Sequence, residues 1–324
     1  MDIVSLGEIL VDFFPEEVGR PLTEVSAFRP KPGGAPANVA VAASRLGYAS
    51  AFIGKVGQDA FGHFLAGILT KEKVETRGLR FDEMVRTTLV FLSKLDVNSF
   101  DCLFYRNPGA DTCLLPDELD ETLLRETRAF QFGSLSLTDE PSRSATRLAI
   151  TIAHNSGALV CYDVNYRPTL WKDADEARQT ALELIPLVDM VKVNETELAL
   201  LGGDETMDVA AKKLRALGPE ICVVTLGERG SYIQTALGDA FVPAFLVEVV
   251  DAAGCGDAFL AALLCKMTEN ANWRTELKQE RLRNYLRYAN AVGALTATAQ
   301  GTIPALPTAA QVDEFLRSID ERDN

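Results

Sequence analysis

Residues 251–259 read Asp251-Ala252-Ala253-Gly254-Cys255-Gly256-Asp257-Ala258-Phe259, after Val247-Glu248-Val249-Val250 and before an apolar run that continues to Leu264. The four leading residues are strand-like and residues 259–264 are apolar on all sides. The pattern predicts a strand-to-helix turn that opens a buried helix. Two glycines at such a turn leave the N–H groups of Gly254, Cys255 and Gly256 unpaired and facing one point. Those donors, with the positive end of the helix dipole, make a seat for an anion or a developing negative charge. Asp257 would stand beside that anion with its carboxylate free to take a proton. From geometry alone a plainer reading has equal weight, in which Asp257 favours the helix start and the glycines make a turn. The stretch is not G-x-G-x-x-G, because Phe259 stands where the last glycine belongs, and G-x-x-x-x-G-K-[ST] occurs nowhere.

Outward from this turn, short apolar runs alternate with helical patterns, which predicts an α/β fold with a mostly parallel central sheet. Strands are expected at 3–6, 51–53, 129–132, 158–163, 190–193 and 221–225. Helices are expected at 36–46, where Pro36 suits the first turn, and at 59–70. Leu282, Tyr285, Leu286 and Ala289 mark another at i, i+3, i+4 and i+7 spacing. Two segments break the alternation. Residues 11–28 are extended and interrupted by Pro15, Gly19 and Pro21. Residues 86–106 carry two strand-like runs, 87–95 and 102–105, around the turn-like Asp96-Val97-Asn98-Ser99. Strands without an intervening helix predict a small separate β-sheet. The expected division is an α/β domain of residues 1–10, 29–85 and 107–324, with 11–28 and 86–106 as a β-sheet lid. A flap over a cleft, an oligomer contact and a structural extension fit the pattern equally.

The chain has 324 residues, enough for about two domains of ~150 residues or one large α/β domain. With 46 acidic and 32 basic side chains the net charge is −14, so no basic surplus exists to neutralise nucleic-acid phosphates. A small anion is still acceptable, because backbone N–H groups hold phosphate without Lys or Arg. No stretch approaches the ~20 apolar residues of a membrane span, and the start, Met1-Asp2-Ile3-Val4, reads as a first strand rather than a targeting segment. The six cysteines are scattered without a C-x-x-C pair, as expected of reduced thiols in a cytoplasmic protein. His63 and His154 are the only histidines, too few for a histidine metal centre or a Ser-His-Asp triad.

The second glycine-rich feature is Gly33-Gly34-Ala35-Pro36-Ala37-Asn38. The glycines let a ligand approach the backbone, and Asn38 offers a donor and an acceptor on an apolar helix face. Tying down a local loop would serve Asn38 as well. Taken with Gly254-x-Gly256-Asp257, the run Gly33-Gly34-x-Pro36-Ala37-Asn38-Val39-Ala40 resembles the two signatures of the ribokinase-like (pfkB) carbohydrate kinase family. Gly7-Glu8-Ile9-Leu10-Val11-Asp12, Gly54-Lys55-Val56-Gly57-x-Asp59-x-Phe61-Gly62 and Asn194-Glu195-Thr196-Glu197 match it too, so the resemblance spans essentially the whole chain. Three further runs look like the fructokinase branch: Phe104-Tyr105-Arg106-Asn107-Pro108-x-Ala110-Asp111, Asp163-Val164-Asn165-Tyr166-Arg167-Pro168 and Gly301-Thr302-Ile303-Pro304-Ala305-Leu306-Pro307-Thr308.

The resemblance implies a Rossmann-like domain with a β-sheet lid and ATP-dependent phosphorylation of a sugar hydroxymethyl group, with D-fructose as the expected sugar. It makes Asp257 the general base and the amides of Gly254, Cys255 and Gly256 the phosphoryl seat. Asp12, Gly33, Gly34 and Asn38 would hold sugar hydroxyls, with Arg106 closing the pocket from the lid. Asn194 and Glu197 would organise Mg²⁺ through its waters, and Arg167 would reach the same phosphates. Thr225, Gly227 and Gly230 match the nucleotide loop, and Asn290 would lie near the adenine edge. Asp251 and the Ala253 carbonyl are what this chain retains of a K⁺ site. Ala252 and Ala253 stand where the family usually has threonines, so two hydroxyls are missing. Ribose or 2-keto-3-deoxygluconate as the sugar, or a catalytically silent kinase-like scaffold, are the other readings, and lid strands pairing between subunits would make a homodimer.

Overall fold

The computed structural model describes residues 1–17, 19–94, 100–270 and 272–321. The first third of the chain runs β1 (Ile3–Leu6), β2 (Leu10–Pro15), β3 (Phe28–Gly33), α1 (Ala35–Arg45), β4 (Ser50–Gly57), α2 (Ala60–Lys71) and β5 (Glu75–Asp82). Next come β6 (Leu89–Lys94), β7 (Phe100–Tyr105), α3 (Glu121–Glu126), β8 (Ala129–Gly133), α4 (Ser142–Asn155), β9 (Leu159–Asp163) and α5 (Ala174–Leu184). The rest is β10 (Met190–Asn194), α6 (Glu195–Gly202), α7 (Met207–Ala216), β11 (Ile221–Thr225), β12 (Ser231–Thr235) and β13 (Gly238–Val242). Helices α8 (Cys255–Thr268), α9 (Gln279–Ala297) and α10 (Ala309–Asp320) close the chain.

Nine strands form one sheet in the order β13-β12-β11-β10-β9-β8-β1-β4-β5. It is parallel from β11 to β5, and β12 and β13 add an antiparallel margin. Successive strand residues point to opposite faces, and both faces are buried. Ile221 and Val223 join a core with α1, α8 and α9, whereas Cys222 and Val224 join one with α4, α5 and α7. Helix α8 is buried all round from Ala258 to Cys265, as its unbroken apolar run requires. Each of its fully buried leucines contributes roughly 1.5–3 kcal/mol relative to an exposed one, which fixes the position of the helix start.

The second sheet has four strands in the order β3-β2-β6-β7. It takes β3 as far as Gly33, five residues beyond the stretch ending at 28 that the sequence pattern assigned to it. The expected turn at 96–99 and the end of the 87–95 run at Leu95 lie outside the described residues. Strand β6 begins at Leu89 because Thr87 is diverted: its N–H and hydroxyl both donate to Asp59, which also caps α2.

One expected strand is absent. Residues 247–250 have no regular structure, and Leu246 is 96% and Val249 54% exposed. After β13 the chain turns away at Pro243, which has no N–H to donate to a sheet. The apolar alternation there belongs to the wall of a cleft.

Candidate active site

The two sheets meet where the strands of the large sheet end, the usual position of a ligand site in open α/β folds. Helix α8 starts at Gly254 in the left-handed conformation (φ 79°), which glycine adopts without strain. No side chain caps this helix, so its first-turn amides have no side-chain partner. The Cys255 N–H is the most engaged of the three expected donors, in a long 3.4 Å bond to the Ala252 carbonyl. Burial, then Asp257 and Asp251, push the Cys255 thiol up to about 12, so it stays protonated at neutral pH.

Asp257 is not a cap. Its Oδ2 accepts a 2.7 Å hydrogen bond from Nδ2 of Asn38, on α1, far away in sequence. The bond ties the first turn of α8 to α1. The Asn38 side chain is buried, and its Oδ1 has no partner among the described residues. A buried acceptor of this kind calls for a donor from outside the protein. Burial pushes the Asp257 carboxyl up to about 6 against the Asn38 bond, with Asp163 adding to the rise and Lys192 and Arg167 opposing it.

Asp12 lies on β2, and its Oδ2 fills the space a Cβ on Gly33 would need. Gly34 is the other required glycine: its φ is 106°, and a Cβ there would stand 2.5 Å from the Glu8 carbonyl oxygen. Burial pushes Asp12 up to about 7, with Arg167 opposing and Asp257 and Asp251 adding to the rise. Arg167 is exposed and follows Asn165, whose φ of 38° turns the chain there. Its charge reaches both carboxylates. Arg106 has other partners. Its guanidinium is buried and donates to Asp111, to the Thr138 hydroxyl and to the Leu135 carbonyl at 2.8 Å each. None of these bonds goes to Asp12 or Asp257.

Beside the α8 start lies a cleft of about 550 Å³. Asn194, Thr225, Gly227, Gly230, Asn290, Cys255 and Gly256 all line it. Asn194 and Thr225 are register partners at the ends of β10 and β11. The polar atoms of Asn290 are taken by protein: its amide donates to the Val242 and Pro243 carbonyls and its oxygen accepts from Ser231. Glu197 forms a reciprocal cap with Asn194, its oxygens accepting the N–H groups of Asn194 and Tyr166, both at 2.8 Å. Asp251 likewise receives the N–H groups of Ala253 and Gly301.

Some of the site went unread in the sequence. Phe245, Leu246, Val247, Val249 and Phe259 supply the apolar walls of the cleft. Lys192 pairs with Asp163 at 3.0 Å, almost wholly buried. Its Nζ lies 3.3 Å from where a Gly256 Cβ would be. Burial works against that ammonium, but Asp163, Glu197 and Asp257 outweigh it and hold its pKa above the ordinary lysine value. A lone lysine inside the apolar run Met190-Val191-Lys192-Val193 was the available signal.

Residues 1–309 match the pfkB family carbohydrate kinase. The chain belongs to that family. It is 45% identical to a probable fructokinase-2 of Arabidopsis thaliana, over 97% of this chain and 95% of the relative. A fructokinase of Xylella fastidiosa solved with ATP superposes with a TM-score of 0.90 at 31% identity, covering 98% of this chain and 99% of that one. A double-mutant fructokinase of Vibrio cholerae O395, solved with fructose, ADP and potassium ion, gives 0.86 at 31% identity over 97% and 98%. The likeness to the two solved fructokinases extends over nearly the whole chain, the large sheet, the small one and the α8 turn included.

Proposed function

We propose that this kinase transfers the γ-phosphoryl group of ATP to the hydroxymethyl oxygen of D-fructose, giving fructose 6-phosphate and ADP. The observation that carries the reading is the Asn38–Asp257 hydrogen bond at the uncapped start of α8, between the ATP-sized cleft and Asp12. In-line transfer needs a proton acceptor beside the attacking hydroxyl and donors around the phosphoryl oxygens. Asp257 takes the proton as the sugar oxygen bonds to phosphorus and the bond to ADP breaks. The Gly254–Gly256 amides stabilise the transferring oxygens. Asp12 accepts from two adjacent sugar hydroxyls, Gly33 and Gly34 allow the close approach, and the free Oδ1 of Asn38 takes another hydroxyl. The small sheet is the lid, with Arg106 bracing its root through Asp111. Arg167 faces the charge between sugar and phosphate. The named fructokinases that this chain resembles, one of them solved with fructose and ADP, support the choice of sugar.

Mg²⁺ comes with ATP as an octahedral ion that keeps most of its water. Glu197 has both oxygens occupied, so it would act on that ion by holding Asn194 and the Tyr166–Arg167 backbone in place. Asp251 and the Ala253 carbonyl would hold a monovalent cation weakly. The protein works in the cytoplasm as a homodimer through the lid. One lid edge, β3, carries Pro30 and Pro32 and cannot pair. The other, β7, pairs with no further strand among the described residues and exposes Leu103 and Tyr105. Light scattering should give twice the chain mass, and Leu103→Asp should halve it. A monomeric wild type would remove the dimer.

The test of the activity is ADP release with ATP, Mg²⁺ and fructose, ribose or 2-keto-3-deoxygluconate. Turnover with none of them would favour a silent scaffold. The pH dependence follows from the two raised carboxylates. Asp257 acts only when ionised, and Asp12 binds hydroxyls best when ionised. So kcat/KM should fall as pH drops below about 7, steepening as the second group protonates near 6. A flat profile down to pH 5 would exclude both carboxylates from the reaction.

A further inference from the structure

Lys31, on lid strand β3, sits opposite Asp12 in register and runs across the Phe14 ring at 4.8 Å. Its Nζ then reaches the main domain and donates to the Gln300 carbonyl at 3.4 Å. Gly301 makes room for it. With φ at 95°, a Cβ there would lie 3.0 Å from Lys31 Cδ and 3.1 Å from Nζ. The Gly301 N–H donates in turn to Asp251 Oδ2 at 2.9 Å. Next door, the Thr302 hydroxyl donates to the Pro32 carbonyl at 2.9 Å, so β3 and residues 300–302 are joined at two points.

Asp251 is only 3% exposed. A buried carboxylate is costly unless positive charge accompanies it, and two backbone N–H groups supply only partial charges. Ala252 and Ala253 put no hydroxyl beside Asp251, while a lysine side chain lies one glycine away. Burial holds the Lys31 ammonium below the ordinary lysine pKa, with Asp251 opposing that fall and Arg29, on the same strand, adding to it.

We propose that the Lys31 ammonium is the built-in counter-cation of Asp251, taking the electrostatic part of a bound monovalent cation beneath the first turn of α8. The charge arrives on the strand that neighbours Asp12, so seating the lid and completing the phosphoryl seat are one event. Added potassium then has little left to do. The turnover arm of the test rests on the fructokinase reading; the melting arm needs no substrate.

Wild type, Lys31→Met and Lys31→Gln are compared in potassium chloride and in tetramethylammonium chloride at matched ionic strength. The wild type should melt at the same temperature in both salts, and its turnover on fructose should agree within about twofold. Lys31→Met should melt several degrees (~3–6 °C) higher in potassium, because a cation that binds only the folded state stabilises it. Its turnover should fall roughly tenfold in tetramethylammonium and recover in potassium. Lys31→Gln keeps a donor for the Gln300 carbonyl without the charge, and should behave as Lys31→Met does. Equal potassium responses in wild type and variants, in either arm, would overturn the proposal. So would variants that respond to neither salt and keep full turnover, or a Lys31→Gln protein that behaves as wild type. If the wild type phosphorylates no sugar, the fructokinase reading fails alone and the melting temperatures still decide the role of Lys31.

Discussion

Asp257→Asn is expected to lose ~10²–10⁴ of kcat while the KM for fructose changes little, the pattern of an interaction made in the transition state. The structure gives the Asp257 carboxylate few other duties. Asp257 caps nothing, so its replacement removes no helix-start bond. An asparagine oxygen can still accept from Nδ2 of Asn38, so the 2.7 Å contact between α1 and α8 survives. Only the ability to take a proton is lost. Steady-state ADP release, with fructose binding measured separately by calorimetry, separates the two effects. The acid limb near pH 6 should also vanish from the residual activity. If kcat stays within a few-fold of wild type, the base lies elsewhere and the Asn38 bond is structural.

Asp12→Asn should reduce kcat/KM for fructose by roughly ten- to a hundredfold, the ~1.5–3 kcal/mol of a hydrogen bond to a charged acceptor. One oxygen becomes a donor, so one of two adjacent hydroxyls loses its acceptor. Gly33→Ala tests the same carboxylate without touching it. The new methyl would enter the space held by Asp12 Oδ2, and the carboxylate must swing away. Both variants should raise KM more than they lower kcat, and should leave ATP binding intact. An unchanged fructose kcat/KM in a folded Asp12→Asn protein would take Asp12 out of the sugar site.

The α8 segment shows how far local pattern carries. Its apolar run could only be a buried helix, and its glycines could only be a turn, because both properties belong to neighbouring residues and period. The strands at 3–6 and 221–225 were legible for the same reason, since parallel strands buried on both faces read as short unbroken apolar runs. Residues 247–250 looked alike and are not a strand. Val247 and Val249 line the cleft beside α8, and no local signal separates the two uses of a valine. The sequence gives no sign of the partners of Arg106, since of Asp111, Thr138 and Leu135 two come from more distant segments.

The sequence by itself determined the alternation of strands and helices, the glycine turn before α8, and the two signatures that mark the kinase family. Each of these is a property of adjacent residues or of a short fixed spacing. Tertiary structure alone decided which groups meet: Asn38 with Asp257, Lys192 with Asp163, Lys31 with the Gly301–Asp251 loop. Those partners are 29 to 270 positions apart in the chain. Their contact depends on the order of strands in the sheet and on the burial of α8. Burial is a property of the packed molecule, and it is what raises the carboxyls of Asp12 and Asp257.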